Sequence, residues 1–122
     1  MRQRVAASGT LWRLAFLASV AGNVAALYWP RPVSEGGIPH VDKVAHVLVF
    51  AAVAWTGLRA RVPARALLPL LAGHAILSEV AQATVLPRRS GDLPDVVADL
   101  VGILVGWLPA RASLRREYPR AE

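Results

Sequence analysis

Three short stretches hold the residues of this chain that could do chemistry. Asp42, Lys43 and His46 lie in VDKVAHVLVF, Glu79 and Gln82 in EVAQ, and Arg89, Ser90, Asp92, Asp95 and Asp99 in RRSGDLPDVVAD. Imidazole and carboxylate are the groups from which general acid–base pairs are made, so His46, Glu79 and Asp99 form the candidate catalytic set. The same groups ligate divalent ions, but no tight local motif concentrates them, and a metal is an alternative this sequence does not favour. Lys43 and Arg89 supply positive charge suited to a phosphate or other anionic group. Asp42, Gln82, Ser90, Asp92 and Asp95 complete the candidate ligand-binding residues. The absence of cysteine excludes thiolate nucleophiles, disulfides and cysteine zinc sites. The chain also lacks a nucleophile elbow, a phosphate-binding glycine loop and a paired-histidine zinc motif.

The elements that must position these residues are apolar. Of the 122 residues 55% are hydrophobic and 18% charged, with a mean hydropathy of +0.42, which is more apolar than a soluble domain requires. Apolar stretches cover residues 10–29, 44–58, 66–86 and 93–110. A bilayer core takes about 20 helical residues. The second stretch therefore borrows flanking turns, giving expected helices at about 10–29, 41–61, 66–86 and 93–110. The expectation is a single all-α domain over residues 1–122, a four-helix transmembrane bundle in the cell membrane.

Charge then orients it. The net charge of +6 resides in short arginine clusters between apolar runs, without the continuous basic face that nucleic-acid binding needs. With the N-terminus inside, ten arginines fall on the cytoplasmic side against Arg31, Lys43, Arg88 and Arg89 outside, so both termini are expected in the cytoplasm. Trp12, Trp55 and Trp107 then sit at cytoplasmic ends and Trp29 at the outer end. A cleaved leader is the rival reading of the first stretch, but Arg13 and Asn23 interrupt it and its length is that of a span.

Depth along each helix brings the polar residues to one level. At ~1.5 Å of rise per residue, His46 lies roughly 6 Å below Asp42, Glu79 roughly 10 Å below Leu86 and Asp99 roughly 10 Å below Asp92. Asn23 lies roughly 9 Å below Trp29 by the same measure. Asp92, Asp95, Asp99, Gly102 and Gly106 advance by threes and fours, so they form one stripe along the fourth helix. The glycine pair allows a second helix to approach closely beneath the acids. Ordinary roles account for several of these residues: Asp92 and Asp95 as a helix cap, Lys43 as an interfacial anchor, His74 as packing or an interhelical hydrogen bond. Glu79 and Asp99 cap nothing and anchor nothing, and intramembrane acids of that kind mark functional sites.

The joint order D-K-x-x-H, E-x-x-Q, R-S-x-D-x-x-D and A-[ND]-x-x-G-x-x-x-G resembles the VanZ-like family of small membrane proteins. The resemblance runs from Asp42 to Gly106, about half the chain, and omits the first helix. It extends to Asp42, Lys43, His46, Glu79, Gln82, Arg89, Ser90, Asp92, Asp95, Asp99 and Gly102. One position departs, since Asp99 stands where such proteins often carry asparagine. The family takes its name from a protein associated with teicoplanin resistance, and the resemblance implies an envelope role without implying a reaction. The expected function is an extracytoplasmic-side polar pocket that binds an anionic or lipid-linked envelope ligand, linked to glycopeptide resistance. The alternative is a membrane-interface enzyme in which His46, Glu79 and Asp99 act on a lipid-linked phosphate substrate. A proton-linked transporter fits least, because the inner half has no matching polar path. Membrane lipids or a lipid-linked precursor are the expected partners, and so small a bundle leaves lipid-facing surface for a homo-oligomer.

Overall fold

The computed structural model describes residues 2–29, 40–86 and 91–119. It is all-helical: α1 (Arg2–Tyr28), α2 (Val41–Arg59), α3 (Ala64–Thr84) and α4 (Leu93–Glu117). Each helix is long and apolar enough to cross a membrane, and the chain is a multi-pass membrane protein. Leu11, Leu14, Leu17, Leu48, Leu70 and Leu104 point outward. In a bilayer that costs nothing, because lipid tails replace the water such side chains would otherwise meet.

Two helices run well past their expected bounds. α1 begins at Arg2 and α4 continues past residue 110 to Glu117, because a helix need not stop where hydrocarbon stops. Pro109 lies inside α4 without ending it, and the following Ala-Arg-Ala-Ser-Leu-Arg-Arg run favours helix. Arg115 and Arg116 in the last turn complement the negative end of the helix dipole. The start of α4 is built as its residue types require. Asp92 is the N-cap, accepting from the Asp95 amide at 2.9 Å, and proline follows within the first turn.

α2 is the central helix and packs most extensively on α4. The contact depends on glycine. A Cβ built on Gly102 would run into the carbonyl oxygen of Val47, and one on Gly106 into that of Ala51. Below the polar layer lies the apolar core, with Phe50, Val53 and Ala54 of α2, Leu67, Leu71 and Ala75 of α3, and Ile103 and Ala110 of α4.

The α2–α3 turn stops α2 in a defined way. The Val62 amide donates to the Gly57 carbonyl at 2.9 Å and the Arg61 amide to the Leu58 carbonyl at 3.0 Å, the paired bonds of a Schellman end. That geometry needs a left-handed residue after the cap, a place where glycine is usual. Here it is Arg61, with φ 70°.

Candidate functional site

Three helices bring their costly side chains together at one end of the bundle. His46 Nδ1 of α2 lies 2.6 Å from Asp99 Oδ1 of α4, and 3.7 Å from Glu79 Oε1 of α3. All three are buried, with 2%, 0% and 6% of their surfaces exposed for His46, Asp99 and Glu79. Of the stripe read along α4, Asp95, Asp99, Gly102 and Gly106 are all buried, while Asp92 at its head is exposed.

Each partner is placed by local structure. His46 sits on the second turn of α2, one turn below Asp42, whose Oδ2 is 3.7 Å from His46 Nε2, the separation that i, i+4 neighbours on one face provide. Lys43 Nζ donates to Asp95 Oδ1 at 3.0 Å and stitches the start of α2 to the start of α4. Glu79 Oε2 accepts from the Asp92 amide at 3.1 Å. One oxygen of Glu79 therefore holds the entry to α4 while the other faces His46.

The remaining residues singled out from the sequence have other places. Gln82 is buried, but its amide donates at 2.9 Å to the Leu27 carbonyl and ties α3 to the end of α1. Asp92 serves as the α4 cap. Arg89 and Ser90 lie outside the described residues. Asn23, level with the cluster by depth, belongs to a separate polar layer: His74 Nε2 lies 2.9 Å from Asn23 Oδ1, and Tyr28 Oη 3.5 Å from His74 Nδ1. The rings of Phe50 and Tyr28 flank His74 at 5.7 and 5.8 Å. Sequence reasoning missed Tyr28, because an aromatic at the end of a span reads as an interface anchor.

The cluster has two chemical properties. Its carboxyls, on Asp42, Glu79, Asp92, Asp95 and Asp99, outnumber the bases Lys43 and His46, and Lys43 is engaged by Asp95. The second property is unused hydrogen-bonding capacity. His46 Nε2, Glu79 Oε1 and Asp99 Oδ2 are buried and have no hydrogen-bond partner, a state that costs about 1–3 kcal/mol for each group.

Two donor sets could hold a cation, Asp42 with His46 and Asp95, and His46 with Glu79 and Asp99, their atoms lying within 4.8 Å of one another. The 2.6 Å between His46 Nδ1 and Asp99 Oδ1 is a hydrogen-bond separation. Two ligands on one ion at bonds of about 2.1 Å stand roughly 3 Å apart or more, so an ion at the buried set would have to part this pair. The arrangement favours an oriented imidazole over a metal cage. No family model, curated protein or solved structure matches this chain.

Proposed function

We propose that this chain is a VanZ-like protein of the cell membrane, with both termini in the cytoplasm, whose buried cluster binds the polar head of an anionic or lipid-linked envelope ligand and thereby contributes to glycopeptide resistance. The observation that carries the reading is that three helices meeting at this cluster each bury an atom with no hydrogen-bond partner, Glu79 Oε1, Asp99 Oδ2 and His46 Nε2. Buried acceptors of this kind are complementary to hydroxyl or ammonium donors, the groups that sugar and amino head groups carry. The excess of carboxyls keeps an anionic group away from the cluster itself. A phosphate on the same ligand would instead stay at the rim, where Lys43 is 39% exposed at its side chain and Arg88 and Arg89 follow α3 in sequence.

The test is binding of a polyprenyl-diphosphate-linked sugar to the full chain in nanodiscs. Glu79→Gln and Asp99→Asn are each expected to weaken it by about tenfold, the worth of one hydrogen bond to a charged group. Unchanged affinity in both variants, with their helical content intact, would remove this reading.

A second reading rests on the His46–Asp99 contact. A carboxylate that fixes one imidazole nitrogen and leaves the other without a partner is the arrangement of a general base. Turnover of the same probe that disappears in His46→Asn while binding persists would establish an enzyme. Absence of turnover in the parent retires that reading and leaves the binding protein.

Orientation has its own measurement. With no native cysteine in the chain, single cysteines report cleanly. Gly91 is unsuitable, because a Cβ there would collide with the Glu79 carbonyl, whereas Val85 is 73% exposed at the cluster end and Pro119 is exposed at the other. In intact cells an impermeant thiol reagent is expected to label Val85→Cys and to reach Pro119→Cys only after permeabilisation. The opposite pattern would invert the topology.

A further inference from the structure

The opposite end of the bundle holds a second site of a different character. A cavity of about 890 Å³ opens between the end of α2, the α2–α3 turn and the last turns of α4. Three arginines line it: Arg61, Arg111 and Arg115. Its other walls are apolar, with Leu58, Val62 and Leu114, and aromatic, with Trp107 and Tyr118.

These guanidiniums outnumber the acids beside them, and only Arg61 feels the charge of Glu117. Among the described residues the only acid at this end is Glu117, and Arg59 engages it at 2.6 Å. Two of the three lie over aromatic rings. The Arg61 guanidinium carbon lies 3.9 Å from the centre of the Tyr118 ring and that of Arg111 5.5 Å from the Trp107 ring. A stacked guanidinium keeps its N–H edge free to donate in plane, the geometry that grips phosphate oxygens.

Arg61 carries the sharpest signal. It occupies the left-handed position of the α2 terminus, where glycine would end the helix without strain and any side chain with a Cβ is disfavoured. A residue kept at an unfavourable backbone position is placed for its side chain. Here that side chain is delivered into the cavity.

We propose that this cavity binds the phosphodiester head group of an anionic membrane lipid. The three arginines hold the phosphate, and the Leu58, Val62 and Leu114 wall receives the glycerol and the first acyl carbons. The location supports a lipid over a soluble anion, since the cavity lies at the ends of helices long and apolar enough to span a bilayer. Basic pockets between transmembrane helices at that level suit anionic head groups.

The experiment uses the full chain in detergent with phosphatidylglycerol and phosphatidylcholine as competing probes, reading retained lipid by native mass spectrometry. The parent is expected to retain phosphatidylglycerol selectively. Each cavity arginine is worth roughly fivefold, so Arg61→Gly lowers that selectivity by about fivefold while unfolding no more readily than the parent, because glycine relieves the left-handed strain. The triple variant Arg61→Gly, Arg111→Gln, Arg115→Gln loses the selectivity altogether. Arg65→Gln and Arg116→Gln remove equal charge at the same end but outside the cavity, and each is expected to stay within about twofold of the parent, as for a screened surface charge. Equal losses from Arg65→Gln and Arg61→Gly would overturn the site in favour of diffuse attraction. Displacement of the lipid by millimolar inorganic phosphate would overturn the lipid as occupant. Should the triple variant fail to fold, Arg61→Gly against Arg65→Gln decides alone.

Discussion

Replacing Gly102 by leucine is expected to cost the bundle about 3 kcal/mol, the upper part of the range for overpacking. Even a Cβ at this position would run into the backbone oxygen of Val47. Backbone cannot rotate aside as a flexible side chain can, so α2 and α4 must separate. Nor would the damage stay local. Val47 follows His46 in sequence, and Gly102 lies one turn below Asp99, so the close approach sets the 2.6 Å contact between those two side chains. Unfolding in mixed micelles should show the loss of stability, and the polyprenyl-diphosphate-linked sugar should no longer bind. Gly73→Leu is the matched control, because nothing lies within 4 Å of a Cβ built there, and its effect should stay within about 0.5 kcal/mol. A Gly102→Leu protein as stable as the parent would mean that the α2–α4 contact is not what holds the helices together.

That another helix approaches α4 along this stripe is legible in the sequence, although not that the helix is α2. The three-and-four spacing of Asp92, Asp95, Asp99, Gly102 and Gly106 puts acids and glycines on one side of a helix. Only a neighbouring helix can use both, the glycines for approach and the acids for a partner. Long apolar runs likewise reveal four spans, because hydrocarbon thickness sets a length that composition must meet. The gaps in the reading have a common physical origin. Height along an axis does not say which neighbour a side chain meets. Asn23 is level with the cluster by rise per residue, yet it pairs with His74. Gln82 shares a face with Glu79 but reaches the Leu27 carbonyl. Ends of helices were less legible for another reason. The apolar run stops near residue 110, whereas the α4 backbone continues as far as Glu117, since propensity and the dipole sustain a helix after hydrophobicity no longer marks it. Val62 before Pro63 does announce the stop of α2, because a residue preceding proline is pushed out of helical conformation. That the left-handed place falls to Arg61 follows only from the bonds of Arg61 and Val62 back into α2.

His46→Phe is the second large effect, expected to destabilise the protein by about 3 kcal/mol, the upper end of the cost of leaving a buried hydrogen-bonding group without its partner. The imidazole is the base that faces Asp99 and Glu79 together. Without it Asp99 Oδ1 joins Asp99 Oδ2 and Glu79 Oε1 as buried acceptors lacking a donor. Removing both partners is a different matter. His46→Phe combined with Asp99→Leu deletes the imidazole and the carboxyl that needs it, and apolar replacement of a whole buried pair is often close to neutral. The double variant should therefore regain about 2–3 kcal/mol relative to the sum of the single changes, a coupling within the range for directly contacting residues. Glu79 retains the Asp92 amide in every variant, so the cycle isolates the His46–Asp99 term. The double variant should fold and still bind no polyprenyl-diphosphate-linked sugar, because it lacks two of the three open atoms that distinguish this cluster from a core. Stability recovered together with binding would make the pair a packing element and move ligand recognition elsewhere. A coupling below about 0.5 kcal/mol would deny that the two side chains act as a pair.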